Sequence, residues 1–397
     1  MISKKDRIAY LSLRDPMDLR SNSGLQYYMN QTIERYCGTV DLYYPKGLCI
    51  IYLTKVFMKL HKWKTGRYTL FYNGKLAALL FGIYFTIYLA RSRNKYDYIF
   101  ISRGSGIIPY LVTKIPIIYC SDTTFSLMYG YYKSFSWITY RQFLSFDKVE
   151  QAAIRRSKLL FYPTCWAANS AIRDYKADKS KVFILPSGAN IPKEILPSEE
   201  EIPKRKCSSP VNLLFIGKDW QGKGGEIASN ALKLIKKKMC ATTLTVIGCK
   251  PPQGEIVEDS GIEFIDFLDK NQASSYRKFY SYFMKADLFF MPTRYETYGL
   301  VFAESFAFGL PIISTATGGV STIVDNGVNG VLLPYEAGAQ EYADAIIAIA
   351  NDEEKYKQMT VAARKKYDEV LNWDVWGRRL VEILKQHNEI KDESAFK

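Results

Sequence analysis

The chain has 397 residues, nearly half hydrophobic and a quarter charged, with no low-complexity run, so it exceeds one ordinary core and two domains are expected. Seven cysteines without a C-x-x-C pair, and only two histidines, His61 and His387, argue against a zinc site and a disulfide framework and fit a reducing compartment. The N-terminus MISKKDRIAYLSLRD puts charges where a signal peptide needs an apolar core, so a cytoplasmic chain is expected.

The net charge of +14 is unevenly placed. Residues 1–200 carry 29 Lys and Arg against 14 Asp and Glu, whereas residues 201–397 carry 25 against 26. The basic half points to an anionic partner such as a membrane surface, a lipid phosphate or nucleic acid, or simply to a solvated surface.

Short apolar runs alternate with amphipathic stretches, the pattern of parallel α/β layers. In the first half, strands are predicted at RIAYLSL (7–13), TVDLYYP (39–45), YDYIFIS (96–102), PIIYCSD (116–122), LLFYPT (159–164) and VFILPSG (182–188). From Leu76 to Ala90 the chain is uncharged and strongly apolar, yet shorter than the roughly 20 residues a bilayer span needs. A helix buried against the sheet is the first reading. A monotopic membrane contact is the second, because the preceding stretch 54–75 interleaves aromatics with cations. No recognisable nucleic-acid module is present, so nucleic acid is not expected as a partner.

The polar, proline-bearing PSEEEIPKRKCSSP (197–210) reads as a linker between domains at 1–196 and 211–371. In the second half, strands are predicted at VNLLFIG (211–217), TTLTVIG (242–248), IEFIDF (262–267), ADLFFMPT (286–293), LPIIST (310–315) and GVLLP (330–334). The expected architecture is two facing, doubly wound Rossmann-like α/β domains with an inter-domain cleft, where ligands bind beyond the carboxyl ends of the strands.

Three loops of the second half draw attention. FIGKDWQGKGG (215–225) ends a strand in a glycine-rich loop that carries Lys218 and Lys223 beside Gly217. It lacks the G-K-[ST] ending of a Walker loop, but two lysines beside flexible backbone suit a diphosphate. RYETYGLVFAESFAFGLPII (294–313) sets Glu296 and Glu304 in apolar surroundings, and Gly299 opens a helix whose first N–H groups, those of Leu300 and Val301, form an anion site. Glu304 could merely favour the helix dipole; carboxylates at a cleft could instead accept sugar hydroxyls. TATGGVSTIVDNGVNGVLLP (315–334) alone signals only tight turns.

Taken together, G-K-x4-K-G-G, then P-T-x2-E-x7-E, then G-x-P-I-I-x-T-x-x-G-G-x-x-x-I-V, then N-G-x-x-G-x-L resemble retaining GT-B glycosyltransferases of the family 4 type, also called glycosyl transferases group 1. The resemblance covers most of 182–334 and extends more loosely to 163–190 and to the closing NWDVWGRRLVEILKQH (372–387), so a C-terminal helix at 372–397 that crosses back to the first domain is implied. It implies that Lys218 and Lys223 hold a donor diphosphate with Gly217 and the N–H groups near Gly299, Leu300 and Val301. Glu304 would bind the donor's ribose, and Glu296 the transferred sugar. Gly24, in SNSGLQYY (21–28), would allow close approach near phosphate and acceptor. On this reading both glutamates stay uncompensated until a nucleotide sugar arrives.

Three departures stand out. Lys218 replaces a common arginine, keeping charge but losing the bidentate fork. The first-half loop has one glycine where two are common. In CSDTTF (120–125), Asp122 stands where a histidine is frequent; it would orient an acceptor hydroxyl or steady positive charge on the sugar, or else cap the next helix. The implied activity is retaining, metal-independent hexosyl transfer from a UDP- or GDP-linked sugar to a glycan or lipid-linked glycan of bacterial envelope polysaccharide synthesis. No cofactor is expected. A peripheral contact with the inner face of the plasma membrane through the basic half accompanies this reading. The alternatives are a nucleotide-sugar epimerase or phosphorylase, and a non-catalytic protein that binds nucleotide sugars or glycans.

Overall fold

The computed structural model describes residues 6–45, 74–132, 138–253 and 261–395, with positions 56, 59, 60, 63 and 135 between them, and side chains as far as residue 387. Most of the aromatic and basic stretch 54–75, His61 included, lies outside the described residues.

All twelve predicted strands are present. In the first unit they are β1 (Asp6–Leu11), β2 (Gly38–Tyr43), β3 (Tyr98–Ser102), β4 (Ile117–Cys120), β5 (Leu159–Tyr162) and β6 (Val182–Ile184). They form one parallel sheet in the order β2-β1-β3-β4-β5-β6. In the second unit, β7 (Asn212–Ile216), β8 (Thr243–Ile247), β9 (Ile262–Ile265), β10 (Leu288–Met291), β11 (Ile312–Thr315) and β12 (Gly330–Leu333) form another, in the order β12-β11-β10-β7-β8-β9. β3, β4, β5, β10 and β11 are buried along their whole length. Strands covered by helices on both faces have no solvent side, which is why they read as continuous apolar runs rather than alternating ones.

The order reverses between β1 and β3 in the first sheet and between β7 and β10 in the second. In open α/β sheets such a reversal opens a crevice at the carboxyl ends of the two strands. The loops there are 12–24 and 103–106 in the first unit, and 217–224 and 292–299 in the second. The glycine-rich loop with Lys218 and Lys223, and the loop with Glu296, both fall at the second reversal.

The helices start where local chemistry lets them. Thr139 and Gln142 form a capping box at the start of helix Tyr140–Arg156: the Gln142 N–H donates to Thr139 Oγ1 at 3.3 Å, and the Thr139 N–H to Gln142 Oε1 at 3.0 Å. Thr164 Oγ1 accepts the Ala167 N–H at 3.1 Å to open helix Cys165–Arg173. The apolar stretch is a helix, Lys75–Arg91, but only half of it is covered. Ala77, Ala78, Phe81, Gly82 and Phe85 face the first core, whereas Leu76, Leu79, Leu80, Ile83 and Ile87 are exposed. The helix is thus buried against the sheet on one face, and its other face is open.

The chain divides into one unit of Met1–Pro186 with Trp376–Lys397 and another of Ser187–Val375. The first boundary lies ten residues before the expected 196, because the chain packs into the second unit as soon as β6 ends. The Ala189 N–H donates to Leu371 O at 2.8 Å, and Trp373 Nε1 donates to Asn190 Oδ1 at 3.0 Å. A Cβ on Gly188 would lie 2.4 Å from the Trp373 nitrogen, so only glycine fits there. Residues 197–210 are no free linker either. Ile202 is buried against Gly309, and Arg205 donates to the Ala286 carbonyl. Helix Trp373–Ala395 begins in the second unit, and from Trp376 onward it packs with the first. There a Cβ on Gly377 would meet the Tyr36 ring at 2.4 Å, and the Trp376 ring lies 6.4 Å from that of Phe100.

Two predictions follow from this packing. A Cβ on Gly82 would sit 2.6 Å from the Tyr110 backbone. Gly82→Ala should therefore cost roughly 1–3 kcal/mol, since backbone rather than a flexible side chain must yield; chemical denaturation of the two proteins measures it. The second concerns Glu150, which is buried among Phe146, Val149 and Ala153 and accepts the Tyr119 hydroxyl at 3.2 Å. Burial lifts its pKa to about 7, only partly opposed by hydrogen bonds from Ser105 and Tyr119. A raised carboxyl pKa means that the folded chain keeps a proton the unfolded chain loses, so this group's contribution falls as pH rises from about 4.5 to about 7. Glu150→Gln should remove that decline, gaining on the wild type between pH 5 and 7 by an amount on the order of 3 kcal/mol at most. Melting curves at the two pH values measure the difference.

Candidate active site

In the second unit, the loop after β7 turns back on itself through Asp219. Its carboxylate accepts the Gly222 N–H at 3.0 Å and the Tyr295 hydroxyl at 3.4 Å, and its carbonyl accepts the Lys223 N–H at 2.9 Å. The loop after β10 is tied to it by the Arg294 N–H, which donates to Gly222 O at 2.9 Å. Gly224, at φ +75°, runs so close to Pro292 that a Cβ would lie 2.0 Å from its carbonyl oxygen. The two loops are thus held as one ledge beyond the strand ends.

On that ledge Lys223 Nζ donates to Glu296 Oε2 at 2.7 Å and to Tyr295 O at 3.4 Å, with both charged side chains mostly enclosed. Gly217 lies beneath the lysine, where a Cβ would come 2.8 Å from Lys223 Cγ. Gly299, at φ +91°, leaves room for the Phe302 ring and lies close to the Glu296 side chain. It is the cap position of helix Leu300–Ala307, with Leu300 and Val301 partly exposed in the first turn. Lys218 stands apart from the Lys223 pair, exposed at the strand end with its ammonium 4.6 Å from the centre of the Phe267 ring.

Glu304 faces inward from that helix, and its side chain is only 4% exposed. Lys270 Nζ donates to its Oε1 at 2.8 Å and lies over the Phe279 ring at 4.3 Å. Burial raises the Glu304 pKa above the ordinary carboxylate value, and the Lys270 charge opposes that rise. The sequence reading left both glutamates uncompensated until a ligand arrived; the structure corrects this. Each carboxylate has a lysine partner, and removing one partner of such a pair strands a buried charge at a cost of about 3–5 kcal/mol. The lysines come from other loops, 73 and 34 residues away in sequence, so local patterning does not reveal them. Lys270 was missed, although its place in FLDKNQ just beyond β9 puts it at a carboxyl strand end.

Gly24 and Asp122 belong to the first unit. Gly24, at φ +82°, caps helix Leu25–Tyr36 after a turn in which Asn22 and Ser23 also have positive φ. Gln26 Nε2 donates to Ser102 O at 3.1 Å, which ties this turn to the end of β3. Asp122, just beyond β4, pairs with Arg103 at 3.1 Å. Thr124, not Asp122, holds the cap position of the following short helix. Arg103 and Glu150 were not singled out from sequence. The signal for Glu150 was readable, since a carboxylate four residues after Phe146 and three before Ala153 lies on the apolar face of its helix. Among the described residues, no group of three or more His, Cys, Asp or Glu is placed to hold a metal ion.

The second unit's ledge can bind an anion. It presents one enclosed lysine, one exposed lysine and a helix N-terminus, with carboxylates nearby that accept hydroxyl hydrogen bonds.

Comparison with known proteins agrees with this fold. Residues 210–352 match the family described as Glycosyl transferases group 1. A D-inositol 3-phosphate glycosyltransferase of Corynebacterium diphtheriae is 27% identical over 230 residues, which are 54% of this chain and 53% of that protein; the match thus spans about half of the relative. Among solved structures, sucrose-phosphate synthase of Thermosynechococcus elongatus superposes with a TM-score of 0.67 at 17% identity over 96% of this chain and 99% of that one. HepE of Anabaena, solved with UDP-glucose, gives 0.64 at 16% identity over 96% and 100%. These structures share the two-domain GT-B fold. The family match thus lies within the second unit, Ser187–Val375, and the likeness over the whole chain is one of fold.

Proposed function

We propose that the chain is a retaining glycosyltransferase that moves a sugar from a UDP- or GDP-linked donor to a hydroxyl of a glycan or lipid-linked glycan in bacterial envelope polysaccharide synthesis. The observation that carries this reading is the enclosed Lys223–Glu296 pair at the strand-order reversal of the second sheet, beside the helix that Gly299 opens. HepE, on the same fold, was solved with UDP-glucose, which supports a nucleotide-sugar donor.

In this mechanism the donor diphosphate lies against Lys223, Lys218, Gly217 and the N–H groups of Leu300 and Val301. As the bond between the sugar's anomeric carbon and the phosphate oxygen breaks, these groups stabilise the negative charge on the leaving diphosphate, in place of a metal ion. The acceptor oxygen bonds to the anomeric carbon on the same face, and its proton passes to the departing phosphate oxygen. Glu296 holds the sugar, and Glu304, oriented by Lys270, takes the ribose hydroxyls. Gly24 and Asp122, in the first unit, are assigned to the acceptor. The basic N-terminal half supports an acceptor presented at an anionic membrane surface.

Diphosphate release from a panel of UDP-, GDP- and ADP-sugars tests the reading. One donor should be hydrolysed slowly by the wild type, and Glu304→Ala should lower that rate by about 100-fold or more. Silence across the panel, with no nucleotide stabilising the protein against heat, would favour a non-catalytic binding protein.

A further inference from the structure

Helix Lys75–Arg91 meets the first core with one face only. On the other, Leu76, Leu79, Leu80, Ile83 and Ile87 recur every three or four residues and so form one stripe. They are between 38% and 56% exposed. A helix that is apolar all round is normally covered all round. Beside the stripe the Val112 N–H donates to Thr86 Oγ1 at 2.9 Å, and Val112 itself is 76% exposed. Cations stand at both ends: Lys75 in the first turn, Arg91 in the last, then Arg93 and Lys95. Between Asp41 and Asp97 the sequence has ten Lys and Arg and no Asp or Glu.

We propose that this stripe docks on an anionic lipid bilayer, with the helix lying in the plane of the interface. Among the described residues no helix is long and apolar enough to cross a membrane, so the stripe has a surface to lie on rather than a core to span. Its aliphatic side chains enter the acyl boundary, while the lysines and arginines at its ends reach the phosphates. The charge pattern selects lipid over other occupants. A second copy packed by two-fold symmetry would set the cations at the stripe's ends against their own kind. Nucleic acid would find aliphatic side chains where stacking surfaces are needed. The inference rests on the proposed function only for its purpose, holding the enzyme where a lipid-linked acceptor lies. The stripe and the donor ledge are in different units, so each reading can fail alone.

Sedimentation with vesicles of phosphatidylcholine, and of phosphatidylcholine mixed with phosphatidylglycerol, tests it on the full chain. The wild type should bind the mixed vesicles, with added salt weakening the binding. The double variant Leu79→Asn, Ile83→Asn should bind them about tenfold more weakly or worse. Leu76→Gln with Ile87→Gln should do the same, which guards against a variant that fails to fold. Diphosphate release without vesicles should be unchanged in both. Equal binding by variants and wild type, no binding to the mixed vesicles, or a wild-type dimer that the variants split would each overturn the proposal.

Discussion

A carboxylate taken out of water needs a cation, a set of donors or a proton, and the arrangement of this protein's loops follows from how it meets that need. In the second unit the need is met by lysines. Glu296 and Glu304 lie behind apolar residues, and Lys223 and Lys270 reach them at 2.7 and 2.8 Å. For Lys223 to arrive, the loop after β7 must fold tightly onto the loop after β10. Gly224 permits that by running against the Pro292 carbonyl, where no Cβ fits. The glycines of this loop are therefore part of the same solution as the ion pair.

The first unit answers the same need differently. Asp122 pairs with Arg103, whereas Glu150 has hydroxyl partners and burial that pushes its pKa up to about 7. Near neutral pH Glu150 is close to half protonated. A buried carboxyl whose pKa is raised by burial is common where protons move.

The central strands β3, β4, β5, β10 and β11 were legible because they are buried along their whole length, which forces uninterrupted apolar runs that end at the loops. The motif residues of the second unit were legible for a related reason: strand order reverses between β7 and β10, so functional loops gather where those strands end. What stayed hidden depends on contacts far apart in sequence. Lys270 meets Glu304 only because β9 and the helix after Gly299 belong to one unit, and no local pattern marks that. The boundary at 186 was hidden because it depends on Gly188, Ala189 and Asn190 packing against 371–373, far along the chain. Periodicity failed on helix Lys75–Arg91 because a uniformly apolar helix gives no sign of which face will be left uncovered.

On the proposed function, Lys223, paired with Glu296 at 2.7 Å, receives the donor's diphosphate. Calorimetric titration of UDP, GDP and ADP into the wild type and into folded Lys223→Met tests this most directly. One nucleotide should bind the wild type, and the variant should bind it at least about tenfold more weakly, the usual worth of a charged hydrogen bond. Equal affinity in the two proteins would contradict the account, because the ledge would then bind its anion without the lysine it encloses.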